Sequence, residues 1–176
     1  MQNITIIGIL IVSYLFVSAC SNPYQKKQFN DFEYEQDFQK NKSLFRKDVL
    51  PIEGFSTEGS EMFVFKSAKR KYTVYDVWFY GELMQRNTSF FVDEQNKPKL
   101  IKQTIYLYDR PISVEGATFK TLVTYFTYNN GISKYYSKIK LEIADNKLKA
   151  KKQKELERLF ARVTKSVQMN KKQVKN

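Results

Sequence analysis

Few side chains in this chain are equipped for chemistry. Histidine is absent, and cysteine occurs once, at Cys20. The lack of histidine removes Ser-His-Asp and Cys-His nucleophilic machinery, imidazole zinc ligation and imidazole pH switching together. A single cysteine leaves no partner for an intramolecular disulfide. Carboxylates, amines and aromatic rings remain. Asp76 and Glu82 flank the aromatic run KYTVYDVWFY (71–80), and Asp93, Glu94 and Asp109 fall in or beside turn-rich segments. Glycoside hydrolysis needs two carboxylates about 5–10 Å apart, and nothing in the linear spacing of these five supplies such a pair. There is no Gly-rich phosphate loop, Gly-x-Ser-x-Gly elbow or metal-ligand cluster. The residue inventory therefore points to a non-enzyme without cofactor or metal.

The amines are unevenly placed. Lys and Arg number 30 against 18 Asp and Glu, a net charge of +12. Residues 145–176 hold eleven Lys and Arg against three acids, so most of the excess is local. Lys147, Lys149, Lys151, Lys152 and Lys154 crowd the first turns of an expected helix, where cations oppose the macrodipole. They do not serve helix stability. They form either a plain solvated face or a surface for an anionic counterpart, an acidic protein face included. Among the aromatics, Trp78 is the only tryptophan and the best single candidate for an interface anchor. Ordinary sheet packing is the competing account of the rings around it.

Ile4 to Val17 is an apolar run broken only by Thr5, Gly8 and Ser13, and no charged side chain occurs before Lys26. A spanning helix needs about 20 apolar residues, and this run is shorter. It has the length of a signal-peptide hydrophobic region, ending on the small residues Ser18 and Ala19. Val17-Ser18-Ala19-Cys20 resembles the lipobox of bacterial lipoproteins. That resemblance covers residues 1–20 only. It implies that residues 1–19 are removed, that Cys20 carries a thioether-linked lipid, and that the chain is held in the cell envelope. Ser21, where Asp would favour retention in the inner membrane, implies the outer membrane facing the periplasm. Cleavage by the ordinary signal peptidase, leaving Cys20 a free thiol, also satisfies the small-residue rule.

Positioning these groups falls to the rest of the chain. Removing residues 1–19 from 176 leaves 157, enough for one core. Residues 20–43 follow as a lipidated Cys and flexible tether. Ser21–Ser43 lacks Val, Ile, Leu and Met, with four acids and four bases. Its reach is about 25 Å, and a short helix over 31–42 is an option within it. From Leu44 the pattern turns aromatic and β-branched, with strands expected near 44–50, 61–67, 71–80, 87–93, 100–109, 118–128 and 132–143. Asn130-Gly131 suits a type I′ hairpin turn. In the strand after it, Tyr135, Ser137, Ile139, Leu141 and Ile143 should face the core. Lys134, Tyr136, Lys138, Lys140 and Glu142 should face solvent.

Asp145 to Gln168 reads as a helix capped by Asp145, with Leu156, Leu159, Phe160, Val163 and Val167 as its apolar stripe. Residues 169–176 read as a basic disordered tail. The expected fold is α+β over 44–168: an antiparallel β-meander of six to seven strands packed against a C-terminal α-helix.

The functional expectation is a lipid-anchored periplasmic protein-binding module. It would meet an envelope or secreted protein, as an accessory of an envelope machine or as an immunity lipoprotein against a toxin acting in the periplasm. No nucleic-acid partner is expected. The alternative is a carrier of a hydrophobic ligand. Long strands plus a C-terminal helix on a lipid anchor resemble outer-membrane lipocalins in outline, although their Gly-x-Trp signature is missing here, where Asp76-Val77 precede Trp78. A carboxylate-dependent cell-wall hydrolase is the third and weakest class.

Overall fold

The computed structural model describes residues 32–52, 58–128 and 132–173. Cys20, the apolar run before it and the Asn130-Gly131 turn lie outside these residues. Helix α1 (Glu33–Asn41) and a short 3-10 turn (Lys42–Leu44) precede strands β1 (Arg46–Pro51), β2 (Ser60–Lys66), β3 (Tyr72–Phe79) and β4 (Met84–Asp93). Strands β5 (Pro98–Tyr108), β6 (Phe119–Tyr128) and β7 (Ile132–Tyr136) and helix α2 (Asn146–Gln173) follow. All seven strands form one antiparallel sheet in sequential order, β1 to β7. The α+β meander closed by a C-terminal helix is thus the observed architecture. Tyr34–Asn176 makes up one compact unit, and the fold described here is that unit's.

Strand alternation creates two faces. Met62, Val64, Tyr75, Val77, Phe90, Ile101 and Phe126 point to one of them and are buried beneath Leu156, Leu159, Val163 and Val167 of α2. Those helix positions recur at the three-to-four-residue spacing of a single stripe. Asp145 caps the helix as its sequence position suggests: Oδ1 accepts the Leu148 N–H at 2.9 Å. At 1.5 Å per residue the 28 residues of α2 extend about 42 Å. Six inter-strand spacings amount to about 29 Å, so the helix is long enough to approach both β1 and β7, as it does. Strands β1 and β7 do not pair with each other, so the sheet is open. Side chains from α2 fill the space a closed barrel would enclose.

The opposite face is covered over part of its area. α1 lays Phe38 against Phe45, Phe65 and Phe91 at ring-centroid distances of 5.2, 5.1 and 6.0 Å. Tyr34 meets Tyr72 edge-on at 5.4 Å, and the Tyr72 hydroxyl donates to Asp37 at 2.7 Å. Glu35, 8% exposed, accepts from Lys102 Nζ at 2.8 Å and from the Tyr125 hydroxyl at 3.2 Å. Lys140 approaches its other oxygen at 3.8 Å. Folded structure therefore begins before Leu44. The helix anticipated as an option within 31–42 forms, and from Tyr34 onward it is packed on the sheet rather than part of a free leash.

The seventh strand departs from the expected 132–143. It stops at Tyr136 because Lys140 takes a left-handed conformation, φ 61°. The Ser137 N–H donates to the Leu141 carbonyl and the Lys140 N–H to the Ser137 carbonyl, both at 2.9 Å. The chain then doubles back, with Tyr136 bridged to Glu142. This breaks the expected alternation. Ile139 and Leu141, assigned to the core, are 73% and 61% exposed, and Tyr136, assigned to solvent, is 1% exposed. The last helix also runs on to Gln173, past the expected boundary at Gln168.

Candidate functional site: the uncovered aromatic face

Beyond the reach of α1, the second face of the sheet carries a row of rings. Trp78 is parallel to Tyr80 within 15° at 6.4 Å, and to Tyr106 within 14° at 5.9 Å. Phe119 meets Tyr106 edge-on at 5.6 Å and lies 5.5 Å from Tyr108. Register explains the row. Trp78 pairs with Asn87, which pairs with Thr104, so β4 separates the strands of Trp78 and Tyr106. Outside the part covered by α1, β4 offers this face Gln85, Asn87 and Ser89, non-aromatic side chains over which the rings of β3 and β5 meet. Phe119 is 55% exposed, and Trp78, Tyr80, Tyr106 and Tyr108 are half-buried.

Beneath the rings is a fixed polar layer. Asp76 accepts the Trp78 indole N–H on Oδ2 at 3.1 Å. Its Oδ1 accepts from Asn87 Nδ2 at 2.7 Å and from the Ser89 hydroxyl at 2.6 Å. With all three donors converging on one carboxylate, the indole has a single favoured orientation. The Tyr80 hydroxyl donates to Glu61 at 3.0 Å. Burial, then that hydrogen bond and the Glu61 charge, pushes the Tyr80 hydroxyl up to about 12. Tyr108 donates to Gln85 at 3.3 Å.

The face is also unusual in charge. On β2 to β6 this face presents the carboxylates of Glu61 and Asp76 and a single cation, Lys102. Lys102, in the same cross-strand row as Asp76 and Ser89, is held by Glu35. At the neighbouring edge, Lys47 of β1 places its Nζ 3.8 Å over the Phe63 ring. The loops at this end of the sheet add exposed Leu83, Ile112 and Val114. They are tied together: the Ile112 N–H donates to the Glu82 carbonyl at 3.0 Å, and the Tyr108 N–H to the Leu83 carbonyl at 2.9 Å.

The site residues singled out in the sequence separate. Trp78 stands on the aromatic face, whereas Lys147, Lys149, Lys151, Lys152 and Lys154 ride on α2 across the sheet. Lys152 turns inward, donating to Gln103 at 3.2 Å and to Glu155 at 2.9 Å, while Lys147, Lys151 and Lys154 are exposed. Asp76 is engaged by its three donors, and Glu82 sits in the exposed β3–β4 connection. Tyr80 ends the aromatic stretch that contains Trp78, whereas Tyr106, Tyr108 and Phe119 escaped the sequence reading. Their only trace there is same-face spacing in Tyr106/Tyr108.

Elsewhere, a polar cleft of about 440 Å³ is lined by Lys66, Arg70, Lys71 and Lys171 together with Asp93 and Glu94. Its mixed charge selects no ligand. Among the described residues there is no cluster of three or more potential metal ligands, and no helix long and apolar enough to cross a membrane. No family model, curated protein sequence or solved structure matches the chain.

Proposed function

We propose that this chain is a non-catalytic binding module of the bacterial envelope, anchored by lipid at Cys20, that meets a protein partner through the aromatic face. One observation carries the binding half of this reading: Trp78, its indole fixed by Asp76, stands beside Tyr106 on sheet surface that α1 leaves uncovered. A pre-oriented, half-buried tryptophan amid other rings has the character of an interface hot spot. It loses little side-chain entropy when a partner covers it. The anchoring half rests on the Val17-Ser18-Ala19-Cys20 lipobox resemblance and on Ser21, which favours the outer membrane. Roles as an envelope-machine accessory and as an immunity protein both fit. A hydrophobic-ligand carrier has weaker support, since Leu156, Leu159 and Val163 occupy the space where a ligand would lie. The exposed lysines of α2 offer a second, separate surface for an acidic counterpart.

Two measurements test the reading. Cross-linking and recovery from solubilised envelope should yield a partner with the native chain, and at least about tenfold less of it with Trp78→Ala. Equal recovery removes the face from the interface. Cys20→Ser should move the protein from the membrane to the soluble fraction, and unchanged partitioning defeats the anchor.

A further inference from the structure

We propose that the partner presents a cationic side chain, arginine above all, to the Trp78–Tyr106 pair. This inference rests on the preceding reading and names the chemistry that the face selects. Electron-rich ring faces attract cations, tryptophan most strongly, and parallel Trp78, Tyr80 and Tyr106 concentrate that property in one row. Glu61 beside the row and Asp76 beneath it add negative charge, and the one cation on this face of β2 to β6, Lys102, is paired with Glu35. That composition is notable in a chain of 30 Lys and Arg against 18 acids. In a chain so basic, a cationic partner is repelled least where cations are few and paired, so the face selects by charge as well as by contact. Lys47 over Phe63 shows the same geometry realised within the molecule, at the rim of this surface. A planar guanidinium stacks on an aromatic ring in a way an ammonium does not, which favours arginine over lysine.

Trp78 is the sole tryptophan, so its fluorescence reports on this site alone. The purified chain would be titrated with a short peptide carrying two arginines, and with the same peptide carrying citrulline. Citrulline keeps the planar shape and removes the charge. The expected result is a saturable change in Trp78 emission, at least about tenfold stronger affinity for the arginine peptide, and weakening by salt. Tyr106→Ala and Glu61→Gln should each reduce that affinity. Glu61 is exposed, so its neutralisation leaves the fold intact and separates lost binding from lost structure.

Equal binding of the citrulline peptide overturns the inference while leaving the face as an interface. A response to neutral glycan oligomers but to neither peptide also overturns it, and assigns the row to carbohydrate. No response to any probe overturns it too. If partner recovery is then also insensitive to Trp78→Ala, the broader reading falls with it.

Discussion

Asp76 Oδ2 and the Trp78 indole N–H lie 3.1 Å apart on a single strand, two positions from each other on the same face. The carboxylate is thereby a positioning group, and Asn87 and Ser89 complete its shell. Asp76→Ala removes the acceptor of the Trp78 indole N–H and the shorter bonds of Asn87 and Ser89. Those two keep longer contacts, to the Val77 carbonyl at 3.5 Å and to Asn87 Oδ1 at 3.3 Å. The expected loss is about 1–3 kcal/mol in urea denaturation, with a shifted Trp78 emission in the folded state. Unchanged emission would show that the indole finds its orientation without the carboxylate.

Glu35 joins α1 to the sheet through Lys102 and Tyr125. Removing one member of a largely buried charged pair strands the other. Glu35→Ala should therefore destabilise by about 3 kcal/mol, whereas Glu35→Gln, which keeps an acceptor for Tyr125, should lose less. Hydrogen exchange of residues 34–41 should rise in the Ala variant, and exchange unaltered there would mean that Phe38 alone holds the helix.

Alkaline pH should weaken the fold. Burial raises Tyr75; burial followed by the Glu35 charge raises Tyr125; burial followed by the hydrogen bond to Glu157 raises Tyr128. Tyr80 titrates near 12. The folded state holds these protons more tightly than the unfolded chain, in which tyrosine titrates near 10. Their stabilising contribution is thus fully present below pH 10 and declines as pH rises toward the folded values. Melting temperature should fall from about pH 10 upward. Phenolate absorbance of Tyr80 should appear near pH 12 in the folded protein. A melting temperature level from pH 9 to pH 11 would contradict this.

Gly81 supports the loop that carries Leu83. A Cβ there would stand 2.7 Å from the Met84 carbonyl oxygen, a backbone atom that cannot swing aside. Gly81→Ala should destabilise by about 1–3 kcal/mol through forced displacement of the turn. Thermal melts check the magnitude, and a neutral result would show that the β3–β4 connection shifts freely.

Local pattern sufficed for most of the sheet and for α2. The β-branched and aromatic run TVYDVWF forms a strand as its composition suggests, and the stripe from Leu156 to Val167 repeats as an amphipathic helix must. Residues 137–143 misled because Ser137, Ile139 and Leu141 continue the alternation while the turn hinges on Lys140, not on the Gly or Asn that normally marks positive φ. The placement of α1 depends on Phe38 meeting Phe65 and Phe91, contacts between distant parts of the chain that no local window contains. The same holds for the site. Trp78 stood out by being alone of its kind, but Tyr106 becomes its neighbour only through pairing across β4. The five lysines were legible as a cluster, and their separation from Trp78 depended on which face the helix would cover.

The sequential order of the strands has a consequence for synthesis. Each hairpin can close as it leaves the ribosome, because every strand pairs with the one made just before it. Met62, Val77, Phe90 and Ile101 nevertheless wait for Leu156 to Val167, which are translated after the whole sheet. A nascent chain that has finished its sheet still shows a broad greasy surface, so the period before α2 emerges is when a chaperone has most to hold.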